Sequence, residues 1–368
     1  MTFAGNGGNH LCNRWEQGSE FHFLQYTQPE AVAHYPWDGK AAYLGSGRDA
    51  LGLLIRRGME HLGWRRIYIP SYFCQEVVKA IIDTGIETLI YTDSPLETKP
   101  EIMLGQCAIP GDIILLVNFF GLRYAPNLAE HLKSKGFIVI EDHTHDPYSE
   151  WAFQSKADWC IASLRKVFPV PDGGVIWSPA GTVLPKEPAQ TSVHDRAVLE
   201  KFSAMVLKER YLAGAGIGKD LFRKLAIAGE KSIYAGDYSG ISEITRQLLP
   251  TFPIAEWRQT RKANWKYLMS LLSTLSWVSV LRPQDESQVC PFSVIVTFEN
   301  KAVRDSIREH LCHTDIYPAI LWPIARGTPG VPKAHIRLSE TLLSIHCDMR
   351  YSESDLTRVF EAFNKCVR

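Results

Sequence analysis

A single lysine, Lys166, has the surroundings of a reactive residue. It follows the short apolar run of residues 160–163 and precedes a glycine pair at 173–174, in the stretch IASLRKVFPVPDGGVIW. In that setting a lysine is either a surface charge that ends a strand or an amine that is held for chemistry. A desolvated lysine amine is a nucleophile that forms a Schiff base with carbonyl compounds.

A glycine-rich turn at residues 45–47 is a second candidate, because it stands directly before a helical pattern. Backbone N–H groups in the first turn of a helix bind phosphate well. The turn matches neither the Walker pattern nor G-x-G-x-x-G, so a plain turn that opens a helix explains it equally well.

An acidic residue at the end of an apolar run is the third candidate. Asp142 is followed by His143, His145 and Asp146, and it could instead cap a loop or a helix. Imidazole and carboxylate groups suit divalent metals. No second group of such residues stands nearby at ligand spacing, and we therefore predict no metal site.

Taken together, the three candidates match the needs of one cofactor. Pyridoxal phosphate (PLP) requires a lysine, an acidic partner for its pyridinium nitrogen and a cradle for its phosphate. Lys166, Asp142 and residues 45–47 could supply these three parts. Their joint presence makes a PLP site a stronger hypothesis than any one of them would.

The elements that would position these residues alternate between helix and strand. Apolar residues at helical period predict helices, and short continuous apolar runs predict buried strands. The predicted helices span 49–63, 74–85 and 127–136, and the predicted strands span 65–70, 86–91, 112–120 and 137–142. This alternation predicts an α/β layer with a mostly parallel sheet, in which ligands bind at the carboxyl ends of the strands.

From about residue 196 the chain has a different pattern. Long helices are predicted over 196–216 and 254–275, followed by a strand over 292–298 and helices over 301–311 and 352–366, the last opened by a serine N-cap. We predict a large α/β domain over residues 1–245, with an N-terminal extension, and a smaller α+β domain over residues 246–368.

Composition restricts the partners of the protein. The 368 residues carry 40 basic and 40 acidic side chains, so no net field favours nucleic acid. No signal-peptide pattern and no apolar run of membrane-spanning length occur, and we expect a cytoplasmic protein that acts on small molecules. The eight cysteines include no C-x-x-C pair, which favours reduced structural thiols.

Along nearly its full length the sequence resembles the DegT/StrS sugar aminotransferases, which are fold-type I PLP-dependent enzymes. The resemblance rests on an ordered series of motifs. The matching segments are SGRDALGLLI, YIPSYFCQEVVKAIIDTG, VNFFGL, VIEDHTHDPYSEW, SLRKVFPVPDGGVIW and LSETLLSIHCDMRYSESDLTRVFEAF. The implied fold is the fold-type I PLP-transferase fold.

The resemblance implies roles for individual residues. Lys166 would form the Schiff base with PLP and move protons between substrate and cofactor carbons, and the glycine pair 173–174 would give the lysine room to reach the cofactor. Asp142 would pair with the pyridinium nitrogen, and His145 would lie near the phenolic oxygen of the ring. The cofactor would be held by the glycine-rich turn, by a serine hydroxyl and by residues near the ring: Ser46, Gly47, Arg48, Tyr72, Phe73, Ser163 and Tyr238.

The sequence departs from the family pattern at several of these positions. Arg48 replaces a threonine, and Cys74 stands where an aromatic residue stacks on the ring, so that Tyr72 or Phe73 would have to replace it. The serine precedes the lysine by three residues instead of five. In the segment 236–243, which in the family reaches into the neighbouring subunit, Tyr238 replaces an asparagine and Gly240 an arginine.

Substrate-binding residues are therefore expected to differ from those of the family. The basic stretch of residues 200–235 is longer than the family pattern and could cover the cleft or a dimer interface, or be a solvated helical face. Trp322 and Arg326 are further candidates for the cleft, although burial alone would also explain the tryptophan. Arg48, Arg326 and Arg350 are the candidates for binding a substrate carboxylate.

The function predicted from sequence is amino transfer by a homodimer with composite active sites. An amino donor such as L-glutamate would load the cofactor, and a keto acceptor would then receive the amine. The acceptor would be a nucleotide-linked keto sugar, as in the family, or a non-sugar compound. Two alternatives are a PLP-dependent lyase or cyclase that acts on an amino acid, and a noncatalytic relative that binds PLP.

Overall fold

The computed structural model describes residues 14–18, 20–24, 34–97 and 108–366. Its strands are β1 (Gln17–Gly18), β2 (Ala41–Leu44), β3 (Arg66–Pro70), β4 (Glu87–Tyr91), β5 (Ile113–Val117), β6 (Ile138–Asp142), β7 (Trp159–Ser163), β8 (Gly174–Trp177), β9 (Ser279–Val280), β10 (Ser293–Thr297), β11 (Ile316–Tyr317) and β12 (Leu342–His346). Its helices are α1 (Gly47–His61), α2 (Gln75–Ile82), α3 (Leu128–Ser134), α4 (Glu150–Gln154), α5 (Ser192–Leu212), α6 (Lys219–Ile233), α7 (Glu243–Leu248), α8 (Ile254–Leu272), α9 (Lys301–His313), α10 (Lys333–Thr341) and α11 (Glu353–Asn364).

A seven-stranded sheet, in the order β2-β8-β7-β6-β5-β3-β4, forms the centre of the fold. Strands β3 to β7 are parallel to one another, whereas β8 is antiparallel to both of its neighbours. Strand β2 therefore points in the same direction as β7. As a result, the carboxyl ends of β2, β3, β6 and β7 lie at one edge of the sheet, where each strand delivers a predicted site residue.

Two apolar layers bury this sheet. Alternate residues of the central strands point to opposite faces: Ile113 and Leu115 of β5 belong to one layer, and Ile114 and Leu116 to the other. Every residue of β5 is buried, which explains the continuous apolar sequence of this strand. The sheet is thus covered on both sides, as expected of a parallel α/β sheet.

A second sheet, β12-β10-β9, is antiparallel and packs against helices α8 and α9, and helix α11 packs on these two helices. Helix α11 begins with the predicted serine cap, because Ser352 and Asp355 form a reciprocal capping box. The short strand β1 of the N-terminal segment pairs in parallel with β11 of this region. The domain boundary at residues 245 and 246 remains a prediction.

Helices α5 and α6 form a hairpin joined by residues 213–218. A Cβ atom at Gly229 would lie 2.5 Å from Cγ of Lys201, so the glycine allows α6 to lie close against α5. The hairpin contains most of the basic stretch 200–235, and it contributes residues to the cavity described below. No helix among the described residues is long and apolar enough to cross a membrane.

Candidate active site

Lys166 lies at the carboxyl edge of the large sheet, in a short 3-10 turn (Leu164–Lys166) that directly follows β7. Its side chain is exposed and lines a cavity of about 420 Å³. Among the described residues, the lysine amine has no hydrogen-bond or ion-pair partner. Lys166 is therefore an available amine in a cleft and does not belong to a structural ion pair.

Asp142 ends β6 and pairs in register with Ile161 of β7, which brings it close to the turn that carries Lys166. Its carboxylate accepts a hydrogen bond from the backbone N–H of Thr144 at 2.9 Å. Burial raises the pKa of Asp142, and the hydrogen bonds from Thr144 oppose that rise. The hydroxyl of Thr144 also accepts from the N–H of Ser163 at 3.0 Å, so Thr144 joins the ends of the two strands.

His145 is buried and lines the same cavity as Lys166. Burial lowers the pKa of the imidazole to about 3, with a further contribution from the charge of Lys166. Its Nδ1 accepts a hydrogen bond from the N–H of Phe120 at 3.2 Å. The ring is thus neutral at physiological pH, with its proton on Nε2, and it can donate one hydrogen bond from that atom.

The N-terminus of α1 lies beside the end of β7. Ser46 caps the helix by accepting a hydrogen bond from the N–H of Asp49 at 3.1 Å. The N–H groups of Gly47 and Arg48 have no partner among the described residues. A Cβ atom at Gly47 would lie 2.8 Å from Cβ of Ser163. Two free N–H groups and the Ser163 side chain therefore lie close together, as an anion site at a helix N-terminus requires.

The glycine pair after Lys166 has a different purpose from the one that the sequence suggested. We expected Gly173 and Gly174 to give the lysine room to reach a cofactor. A Cβ atom at Gly174 would lie 2.2 Å from the carbonyl oxygen of Ser46, and Gly173 has a φ of 120°, which favours glycine. The pair is needed because β8 begins directly against the N-terminal turn of α1.

Tyr72 and Phe73 do not line the cavity. Both side chains are fully buried, and each ring contacts Trp322 with a centroid distance of 5.8 Å. The hydroxyl of Tyr72 donates to the carbonyl oxygen of Leu321. Trp322 itself lines the cavity and stacks on His145 at 5.5 Å. The two aromatic residues therefore support the cavity wall from behind, which corrects the expectation that one of them covers a cofactor ring.

Cys74, the next residue along the chain, is half-buried and lies near Lys166. Burial raises the pKa of its thiol, and the nearby charge of Lys166 opposes that rise. The six described cysteines are free thiols. Cys12 and Cys107 lie outside the described residues.

Tyr238 packs on helix α1 of its own chain. A Cβ atom at Gly52 would lie 2.3 Å from the Tyr238 hydroxyl, and the guanidinium of Arg56 lies 4.7 Å from the centre of the tyrosine ring. Gly240 forms an isolated bridge with Leu44, and a Cβ atom there would lie 2.5 Å from the carbonyl oxygen of Pro188. The close backbone contact explains why an arginine does not fit at position 240.

The three arginines that the sequence suggested for a substrate carboxylate do not line the cavity. Arg48 pairs with Glu76 at 3.1 Å, and Arg326 pairs with Glu340 at 2.5 Å on the surface. The side chain of Arg350 is buried and pairs with Asp348 at 2.7 Å. The expectation that Arg326 borders the cleft was wrong as well: of the two residues predicted for the cleft in this segment, Trp322 lines the cavity and Arg326 does not.

His346 lines the cavity, and its position was not predicted from the sequence. Burial lowers the pKa of this histidine to about 4, and its buried Nε2 has no hydrogen-bond partner among the described residues. The charge of Lys166 also lowers its pKa, which indicates that the two side chains are close. The residue stands in the segment LSIHCDMR, whose match to the family pattern was the only signal for it.

A buried polar cluster lies on the opposite face of β6 from Asp142. The ligand atoms of Glu141, His143 and Cys160 lie within 4.8 Å of one another, as in a metal site. The Glu141 carboxylate, however, already accepts hydrogen bonds from Trp151, Ser155 and His143 at 2.6 to 2.9 Å. We interpret the cluster as a hydrogen-bond network that satisfies a buried acid.

Solved structures with similar folds were found by comparison. DesI, solved in the presence of its TDP-sugar product, is 16% identical, with 89% of this chain and 80% of DesI covered at a TM-score of 0.58. The synthase of 3-amino-5-hydroxybenzoic acid is 15% identical, with 89% and 86% covered at 0.62. Spr1654 of Streptococcus pneumoniae, a proposed sugar aminotransferase solved in its PMP form, is 14% identical, with 94% and 99% covered at 0.63.

No model of a known protein family matches the sequence, and no curated protein matches it. At identities of 14 to 16% the structural likeness establishes the fold alone. The prediction of fold class is confirmed in that respect: the large, mostly parallel sheet with its covering helices is the fold of the fold-type I PLP-dependent enzymes.

Proposed function

We propose that this protein is a PLP-dependent aminotransferase of the DegT/StrS kind. It transfers an amino group from a glutamate-like amino acid to a keto acceptor. The observation that supports the proposal is that Lys166 and His145 line one cavity, while Asp142, which does not line it, ends β6 beside the strand β7 that leads to Lys166. This arrangement occurs in a fold that is shared with Spr1654 in its PMP form.

The residues around Lys166 fit PLP. The phosphate would bind to the unpaired N–H groups of Gly47 and Arg48 and to the hydroxyl of Ser163, where Gly47 leaves no space for a side chain of its own. Asp142 is a buried carboxylate whose pKa is raised because burial outweighs its hydrogen bonds from Thr144. A protonated ring nitrogen would give this carboxylate the positive partner that compensates its burial.

The side chains have distinct tasks in the proposed reaction. When bound, PLP supplies an electron sink that stabilises negative charge at the α-carbon of the amino acid. The amine of Lys166 would bind the cofactor, and its Nζ would hold and move the proton of the reacting carbon. Asp142 would hold a proton on the ring nitrogen, and Nε2 of His145, which carries the proton of the neutral ring, would be available to donate a hydrogen bond to the phenolic oxygen. Trp322 holds His145 in place by stacking on it.

The acceptor and the assembly are also proposals. A nucleotide-linked keto sugar is supported by the likeness to DesI, which was solved in the presence of its TDP-sugar product. A non-sugar acceptor is supported by the likeness to 3-amino-5-hydroxybenzoic acid synthase. We further propose a homodimer in which the segment 236–243 contacts the neighbouring site, with Tyr238 in place of the family's asparagine.

The test is the visible spectrum of the purified protein. A PLP band that disappears on treatment with borohydride, with the reduced cofactor on a peptide containing Lys166, is the expected result. Addition of L-glutamate alone should convert the spectrum to that of pyridoxamine phosphate. A protein that stays colourless and unlabelled after PLP is added would refute the proposal, and loss of an amino acid without any pyridoxamine form would indicate a lyase.

PLP is expected to protect Cys74 from alkylation, because this thiol lies near Lys166 where the ring would bind. Labelling by iodoacetamide, followed by mass spectrometry, should slow roughly tenfold or more at saturating PLP; about pH 9 is suitable, since the thiolate is the reactive form. Cys312 and Cys366 are half-buried thiols of other regions and serve as internal controls. Equal labelling of Cys74 with and without PLP would show that the ring binds elsewhere.

A further inference from the structure

We propose that Arg223 and Arg308 bind the two acid groups of a dicarboxylic substrate within a single subunit. The proposal deepens the function proposed above and rests on it. Both arginines line the cavity of about 420 Å³ that also contains Lys166 and His145. Arg223 belongs to helix α6 of the hairpin, and Arg308 belongs to helix α9 of the C-terminal region.

The cavity carries a positive charge of its own. Basic side chains outnumber acidic ones by seven to three in its lining. The two histidines of the lining, His145 and His346, have their pKa values lowered to about 3 and about 4 and add no charge at neutral pH. Such a cavity concentrates small anions.

Most of these charges already have partners within the protein. Glu16 binds Lys208 at 2.6 Å and Lys219 at 2.8 Å. Glu230 binds Arg165 at 2.6 Å and also binds Lys201. Burial lowers the pKa values of Lys201 and Lys208, and the charge of Glu20, the third acid, opposes that lowering and also acts on Arg165. The paired groups connect the hairpin to the neighbouring segments, and they are not free to bind a substrate.

Arg223 and Arg308 differ because their guanidinium groups remain free. Within the described residues, Arg223 has no hydrogen bond or ion pair. Arg308 donates from Nε to the carbonyl oxygen of Pro318 at 3.3 Å, which leaves both of its terminal nitrogens without a partner. A guanidinium with free N–H groups matches the geometry of a carboxylate and can bind it with two parallel hydrogen bonds.

Two guanidinium groups on separate helices favour a ligand with two separate acid groups. The reacting carbon must lie at Lys166, and the two arginines line the same cavity, so we place the acid groups that they bind within a few bonds of that carbon. This is true of both carboxylates of glutamate or 2-oxoglutarate. In a sugar nucleotide, by contrast, the diphosphate is separated from the keto carbon by the sugar ring. We therefore assign the pair to a dicarboxylate.

The assignment also explains the loss of the arginine that the family pattern places at position 240. Gly240 cannot be replaced by a larger residue without a clash with Pro188. Arg223 lies in the basic stretch that exceeds the family pattern. In this view, the arginines of the site belong to the hairpin and to α9 of the same chain and not to the subunit-bridging segment.

The experiment measures binding of glutarate, an unreactive dicarboxylate, to the full-length protein loaded with PLP, by calorimetry. Arg223→Gln and Arg308→Gln should each raise the Kd of glutarate roughly tenfold or more, as expected for the loss of hydrogen bonds to a charged group. Lys224→Gln is the matched control, because Lys224 follows Arg223 on α6, is exposed and does not line the cavity. It should change binding less than about twofold. Arg308→Lys keeps the positive charge but cannot form two parallel hydrogen bonds, so it should give an intermediate loss of glutarate binding.

Other outcomes would overturn the assignment. Unchanged glutarate binding in both glutamine variants would exclude the pair. Loss of binding of thymidine diphosphate, with glutarate unaffected, would show that the arginines read a nucleotide. Absorbance and reductive trapping on Lys166 are recorded for every variant. These should remain normal, so that failure to hold PLP, which contradicts the proposed function, is distinguished from failure to bind the acid.

Discussion

Replacement of Lys166 by alanine is expected to abolish amino transfer, with a fall in kcat of roughly 10³-fold or more, because one amine both binds the cofactor and moves the proton. After treatment with PLP and borohydride, the purified variant should carry no cofactor on the peptide that contains position 166. PLP added in excess can still bind through its phosphate. Half-reactions with L-glutamate, followed by absorbance, provide the measurement. A small external amine such as methylamine should restore a measurable part of the rate.

The control for this variant is Lys186→Ala. Lys186 is exposed and lies outside the cavity lining, so its loss should leave both the label and the rate unchanged. The cavity also contains Lys201, Lys208 and Lys219. If Lys166→Ala were still labelled on one of these three lysines and still active, the assignment of the reactive amine would be wrong. The ion pairs of those lysines with Glu16 and Glu230 argue against that outcome.

The central sheet could be predicted from the sequence because its strands are buried on both faces. Continuous apolar runs such as residues 113–117 are distinctive, and the helices between them have a clear apolar period. Helix α10 was missed for the opposite reason. Its buried residues include His335, Ser339 and Thr341, and no side chain caps its first turn, so neither an apolar period nor a capping signal marks it.

The sequence predicts the position of a site residue only where that residue directly follows a strand of the sheet. Asp142 and Lys166 follow parallel neighbouring strands, and the sheet itself brings them to one edge. Tyr72 and Phe73 follow β3 at that same edge, but the chain turns their rings into the core beneath Trp322. No local pattern indicates which way such a turn directs its side chains.

The arginines depend on tertiary structure even more strongly. Whether a guanidinium is free is decided by which acid the fold places beside it. Asp348 is only two residues from Arg350 and binds it, whereas Glu340 reaches Arg326 from a separate helix. The cavity, in contrast, is enclosed by the hairpin, by the N-terminal segment and by α9, which are far apart in sequence. Its free arginines therefore became identifiable only in the folded chain.

Asp142→Asn should give the second large effect, a loss of roughly 10² to 10³-fold in the glutamate half-reaction. Asparagine can keep the hydrogen bond from Thr144, but it cannot hold a proton on the ring nitrogen, and breaking a buried charge pair costs about 3 to 5 kcal/mol. Reductive trapping on Lys166 should persist, since the amine is untouched. The expected signature is thus a cofactor that binds and reacts slowly.

Stability separates this loss from simple unfolding. Because burial raises the pKa of Asp142, ionisation of its carboxylate destabilises the cofactor-free protein as pH rises through the folded-state pKa, and that destabilisation persists at higher pH. The asparagine variant lacks this pH dependence, so without cofactor it should melt no lower than the native protein at neutral pH.

Glu141→Gln is the matched contrast, since Glu141 lies on the opposite face of β6 and accepts hydrogen bonds from Trp151, Ser155 and His143. The glutamine variant at position 141 should have a clearly lower melting temperature, whereas its folded fraction should react at a nearly unchanged rate. If Asp142→Asn instead lost activity only in proportion to its loss of folded protein, Asp142 would be a structural acid and not the partner of the cofactor.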